Sequence, residues 1–200
     1  RGLPGVLAHA WLALIGVSVL TTWQHHFIDL PTGALLGFVA LWLWPDDSPS
    51  PLARVAWTKA SDRRRLARRY ALGALAAMGP AVALGSGALW LLWPAFALGL
   101  VSLAYAALGA EAFQKRGTTP TPAAAVLLAP YTLGAWVNSR LWTRRRPAPD
   151  HVLDGVWIGR MPTAGEMRRR PFRTLVDLAA ELPAPRGPWR YAGFPWLDLV

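Results

Sequence analysis

The chain has 200 residues, with 54% hydrophobic and 16% charged side chains, no cysteine, and a formal net charge of +10. The charged fraction lies below the ~25% usual for soluble domains, and the absence of cysteine excludes disulfides, thiolate metal sites and a cysteine nucleophile within these residues. The basic residues lie between or after apolar runs and accompany no nucleic-acid-binding module, so they point to anionic lipid heads and not to nucleic acid.

The first apolar run extends from Leu3 to Leu20. It has no basic leader beyond Arg1 and no small-residue cleavage site, so it does not read as a signal peptide. A polar break at Thr21–His26 separates it from a second run, Phe27–Trp44, which ends at Pro45. Pro31 falls in the first turns of that run, where a missing N–H is least costly. Residues 46–69 form a connector carrying Arg54, Lys59, Arg63, Arg64, Arg65, Arg68 and Arg69, read as a cytoplasmic loop. A third run, Tyr70–Leu84, is rich in Ala and Gly and interrupted by Pro80. Gly85-Ser86-Gly87 turns the chain into a fourth run, Ala88–Ala110. Small residues such as Gly73, Ala77 and Ala81 would let these helices approach closely in lipid.

These runs predict a mainly α protein with about four membrane-spanning helices, followed by the N-terminal part of a cytoplasmic α/β domain. The expected organisation is a hairpin over 1–45, a basic loop over 46–69, a second hairpin over 70–110, an interfacial helix and linker over 111–146, and the start of the α/β domain over 147–200. The basic loop and Arg144–Arg146 would share the cytoplasmic side, leaving the turn at 21–26 outside an inner (plasma) membrane. Residues 123–142, broken by Pro130, Gly134 and Asn138, read as an interfacial helix with Trp136, Trp142 and Arg140 at the boundary. Further on, Val152–Gly159 predicts two short strands about an Asp154-Gly155 turn. A short helix follows within 162–170, then strands at Thr174–Leu178 and Tyr191–Val200. Arg1 and the apolar end at Val200 both read as interior sequence, so a piece of a longer protein is expected.

One constellation carries chemistry. On a helix, His25 and Asp29 stand four residues apart on the same face. The carboxylate can hold the imidazole in one tautomer and raise its basicity, equipping it as nucleophile or general base. A cap at the water boundary is the plain alternative, and His26, about 100° away, reads as a boundary residue. The segment resembles the third signature of the type-2 phosphatidic acid phosphatase superfamily, Ser-Arg, five residues, His, three residues, Asp. Ser18, His25 and Asp29 fall on its positions, and Val19 replaces its arginine. The resemblance implies a phosphoryl-accepting His25 oriented by Asp29. The first two signatures of that family, with their phosphate ligands, are not in the chain.

Asp154–Pro162, Thr174–Glu181 and Tyr191–Asp198 resemble, in order, the opening strands of the dual-specificity phosphatases. That resemblance implies Asp198 as the acid that protonates the leaving oxygen. The cysteine nucleophile of that family is missing here. Together the two resemblances imply a membrane-bound phosphoric monoester hydrolase acting on phosphorylated lipid or protein. Its partners would be membrane lipids, with no cofactor and no metal. The alternatives are a non-catalytic membrane anchor for a cytoplasmic phosphatase domain and a transporter fragment. The latter is weakened by spans almost free of ionisable residues.

Overall fold

The computed structural model describes residues 2–21, 29–46, 49–170 and 172–197. The chain divides into two compact units, Arg1–Ala40 and Leu41–Val200. The first is helical: α1 (Leu3–Thr21) and α2 (Asp29–Leu43), the latter running into the second unit. α1 is apolar around its whole circumference, and Leu3, Trp11, Leu12 and Leu14 are all exposed.

The second unit is built on a helical hairpin. α3 (Ser61–Leu84) begins inside the basic stretch that was expected to be a loop, so Arg63–Arg69 form its first turns. It returns through Gly85, whose φ of +59° suits glycine, into a continuous helical stretch from Ser86 to Phe113. This stretch opens as a 3₁₀ turn, becomes α4 (Leu92–Leu103), loosens to a π turn at Ala104–Leu108 and closes as 3₁₀ at Gly109–Phe113. Small residues on α3 bring the two arms close: a Cβ on Gly73 would lie 3.4 Å from the Leu98 side chain. Two cross-links fix the antiparallel register. The Ser102 hydroxyl donates to the Ala67 carbonyl at 2.8 Å, and the Arg63 guanidinium donates to the Ala104 carbonyl at 3.3 Å.

The π turn has a structural account. Its altered ladder turns carbonyls outward, and the extended segment before α3 uses them: Thr58 N–H donates to Ala106 O and Ala56 N–H to Ala107 O. The turn is packed as well, for Val101, Tyr105 and Phe113 on this stretch are fully buried together with Leu127. Trp42, at the end of α2, closes this core from one side. Its indole N–H donates to Ala112 O at 2.8 Å, and the Gln114 amide donates to Trp42 O at 2.7 Å.

A two-residue-per-strand hairpin follows, β1 (Lys115–Arg116) and β2 (Thr119–Pro120), which no sequence pattern announced. α5 (Pro122–Leu127) is capped by the Thr121 hydroxyl, and α6 (Ala129–Trp142) starts with Pro130 in its first turn. The interfacial helix expected over 123–142 is thus two helices, and its N-terminal part is core. β3 (Asp150–Leu153) and β4 (Val156–Ile158) pair antiparallel about Asp154-Gly155, with Gly155 at φ +77°. α7 (Ala164–Arg168) opens with a reciprocal capping box between Thr163 and Glu166. β5 (Thr174–Ala179) and β6 (Arg190–Trp196) then pair in parallel, Thr174 opposite Arg190 and Val176 opposite Ala192.

The expectation of about four membrane spans is overturned. Among the described residues only Ser86–Phe113 is long and apolar enough to cross a bilayer by length and composition, and 44% of its most apolar window is buried inside the protein. Leu3–Val19 and Asp29–Leu43 are shorter apolar helices, below the ~20 residues of a span. The third run is only the C-terminal half of a helix whose first half carries five arginines. The sidedness inferred from an even number of crossings falls with the crossings.

Candidate functional site

The polar centre of the second unit lies where the β1–β2 hairpin meets the parallel pair. Lys115, Gly117, Asp177, Ala179, Tyr191, Gly193 and Pro195 line a cavity of about 140 Å³. The Lys115 and Asp177 side chains are almost fully buried, with 2% and 1% of their surface exposed, and they pair at 2.6 Å. The Lys115 ammonium also donates to the carbonyls of Ala179 and Leu182, which uses all three of its protons. Asp177 Oδ1 accepts the Ala179 N–H at 2.9 Å, and Oδ2 lies 2.9 Å from the Tyr191 hydroxyl.

Tyr191 Oη also sits 2.6 Å from the carbonyl of Gly117. Its single proton serves one of these two acceptors at a time. Burial pushes the Tyr191 phenol well above its ordinary pKa, and the hydrogen bond and negative charge of Asp177 push it the same way. The phenol therefore stays protonated at neutral pH. Gly193 makes room for it: a Cβ there would stand 2.7 Å from Tyr191 Oη. The chemistry available is positional. A cation with three acceptors has no proton left to offer a phosphate. The cluster fixes the connection from β5 to β6 against the hairpin.

A second polar group lies under the same connection. The Tyr105 hydroxyl donates to the buried Glu181 carboxylate at 2.6 Å. Tyr70 stacks on Tyr105 and meets Tyr131 edge-on, each at a centroid distance of 5.5 Å. Burial raises the Tyr131 pKa, and the Glu181 charge adds to the shift.

A third group ties α6 to α7. Glu166 binds Arg160 at 2.6 Å and Arg140 at 3.5 Å, and Arg140 also donates to Met161 O at 2.8 Å. Burial alone would raise the Glu166 pKa. The Thr163 N–H and the Arg160 guanidinium outweigh it and bring the carboxyl down to about 2. Among the described residues no group of three or more His, Asp or Glu side chains could hold a metal ion.

Of the residues singled out in the sequence, His25 and Asp198 lie outside the described residues, and with them the His25–Asp29 pairing. Asp29 is exposed as the first residue of α2, and its carbonyl accepts the Thr32 hydroxyl at 3.2 Å. Ser18 is exposed on α1, its hydroxyl donating to Ile15 O at 2.8 Å. Lys115, Asp177, Glu181 and Tyr191 were not singled out. The signal for Asp177 was its place in the apolar run Leu175-Val176-Asp177-Leu178, since a carboxylate inside a strand needs a partner when buried. No family profile, no curated protein and no solved structure matches the chain.

Proposed function

We propose that this chain belongs to a membrane-attached phosphoric monoester hydrolase, held at a lipid bilayer by its apolar helices. The observation that supports this best is the order and pairing of the last elements. An antiparallel hairpin, a capped short helix and a parallel strand pair follow one another, and β6 ends at Trp196, two residues before Asp198. Reacting groups of α/β proteins gather at the carboxyl ends of parallel strands. Asp198 is the proposed proton donor to the leaving oxygen of a phosphoprotein or phosphoinositide. The resemblance requires a thiolate nucleophile there. The chain has no cysteine, so that group has to come from outside these residues.

In the lipid-phosphate site His25 is the proposed nucleophile and Asp29 its orienting partner. The imidazole attacks phosphorus as the bond from phosphorus to the lipid oxygen breaks, the departing alkoxide takes a proton from water, and a second water then cleaves the phosphohistidine to inorganic phosphate and free imidazole. Neither route calls for a cofactor.

The test uses the full-length protein carrying His25→Ala or Asp198→Asn, assayed at equal protein level on phosphatidate and on a phosphotyrosyl peptide. His25→Ala should abolish phosphatidate turnover and leave the peptide reaction intact. Asp198→Asn should slow only the peptide reaction, by roughly 10²-fold or more, the usual contribution of general acid catalysis. Unchanged turnover by either variant refutes the role assigned to that residue.

A second reading is favoured by Val19, which stands where the resembled lipid phosphatases carry a phosphate-binding arginine. On that reading the helices only anchor the phosphatase domain. It predicts no phosphatidate turnover by the wild-type protein and undiminished peptide phosphatase activity.

A further inference from the structure

α3 has two unlike sides. At about 100° per residue, positions 67, 70, 74, 77 and 81 share one side, and this side packs on the return arm: Ala67 and Ala81 are buried, and Tyr70 stacks on Tyr105. The opposite side is bare along its whole length. It carries Arg64, Arg65 and Arg68, all exposed, and then Leu72, Leu75 and Val82, exposed by 65%, 56% and 72%. Charge and apolarity are therefore separated along the helix axis and not around it. The change falls at Tyr70, about two turns in.

This separation matches one kind of partner. A protein groove would ask for an apolar stripe continuous along the helix. A bilayer changes from anionic headgroup to hydrocarbon along its normal, in the order found on α3. The apolar part, Tyr70 to Leu84, rises about 22 Å at ~1.5 Å per residue. That falls short of the ~30 Å hydrocarbon core, so the hairpin enters and returns on one side. The return arm agrees with this limit. Its C-terminal half is core, with Tyr105, Leu108 and Phe113 buried, and it runs on to the exposed Arg116 at the arginine end.

We infer that the α3–α4 hairpin is a re-entrant lipid-docking element. Its tip sits in one leaflet of an anionic bilayer, and Arg64, Arg65 and Arg68 bind lipid phosphates at the entry. The exposed pair between Arg65 and Asp62, 3.1 Å apart, is of the weakly held kind and yields to a phosphate. The inference rests on the membrane attachment proposed above and is independent of the phosphatase chemistry, because its test reads no phosphate release.

The other apolar helices would carry the chain onto vesicles by themselves, so the test has to be local. The chain has no cysteine, and Val82→Cys therefore gives a single labelling site for an environment-sensitive fluorophore. The labelled chain is reconstituted into vesicles of phosphatidylcholine alone, or with one-third phosphatidylserine. The label should be quenched by bromines on the acyl chains in the anionic vesicles and by aqueous iodide in the neutral ones. Replacing Arg64, Arg65 and Arg68 together by Ala should lower the docked-to-undocked ratio on the order of a hundredfold, at about fivefold per arginine near an anionic surface. The triple Lys variant should restore it, which a purely structural role of the arginines would not allow.

A label at 82 that iodide reaches equally in both vesicle types overturns the inference. So does a label protected without lipid in a chain that sediments as a dimer, which would make a second copy the occupant. Loss of phosphatase activity in His25→Ala has no bearing on either outcome.

Discussion

Lys115→Met isolates the interaction that joins the hairpin to the parallel strands. The methionine fills nearly the same space and removes the charge. Asp177 is then left with 1% of its side chain exposed and without its cation, and the carbonyls of Ala179 and Leu182 lose the ammonium as donor. Breaking a buried pair from one side costs about 3–5 kcal/mol, because the remaining charge stays desolvated. The Tyr191 hydroxyl and the Ala179 N–H still serve the carboxylate, which argues for the lower part of that range. At about 2–4 °C per kcal/mol for a chain of this size, the melting temperature should fall by roughly 6–12 °C. The assay is thermal and urea unfolding of wild type, Lys115→Met, Asp177→Leu and the double variant. The double variant should recover part of the loss, since a buried pair replaced by apolar groups is often neutral. A single variant that loses less than about 1 kcal/mol would place the pair among exposed ion pairs and refute its role as the lock.

The other two predictions concern neighbouring polar groups. Tyr105→Phe removes the donor to Glu181 and should cost about 1.5–3 kcal/mol, the range for a hydrogen bond to a charged group, read as a lower urea midpoint with an unchanged slope. Glu166 titrates near 2 in the folded chain and near its ordinary 4.5 when unfolded. The unfolded state thus takes up the proton first, so the stability that Glu166 contributes is complete above about pH 4.5 and is lost as pH falls towards 2. Glu166→Gln should flatten the melting temperature over that window, and parallel curves for the two proteins would count against the Arg160–Glu166 assignment.

The strands were legible because their signals are local. Asp154-Gly155 needs only a glycine at positive φ, and the runs at 174–178 and 191–196 are short and mostly apolar. The helical half was misread for a physical reason. Apolarity over Tyr70–Leu84 marks a bilayer segment and a hairpin packed on protein equally well, and hydropathy does not register that Ser61 starts a helix through five arginines. The fourth run, Ala88–Ala110, reads as uniform hydrocarbon. Its second half is apolar because Val101 and Tyr105 fill a protein core, and its π turn depends on carbonyl acceptors supplied to a segment some fifty residues upstream. Lys115 stands next to Arg116 in the sequence. The two are opposites: Arg116 is exposed, and Lys115 is the most enclosed cation among the ion pairs of the described residues. No spacing rule links residue 115 to residue 177.

These contacts share one address. Lys115, Thr118 and Gly117 of the hairpin, and Tyr105 of the helical stretch, all bond to residues of β5, β6 or the connection between them. A two-stranded parallel sheet is too small to stand alone, and the outer faces of Val176, Leu178, Phe194 and Trp196 are bare. Its order therefore comes from the helical side, through a dry ion pair and two tyrosine hydroxyls in place of an apolar core. Polar groups of this kind tolerate little displacement, because each one left unpaired in a buried site is costly. Any movement of the hairpin at a lipid surface must then carry the strands with it or break the lock. If lipid docking and the strand module are coupled, Lys115→Met is where they should come apart, with the label at 82 still docked and the β5–β6 amides exchanging faster with solvent.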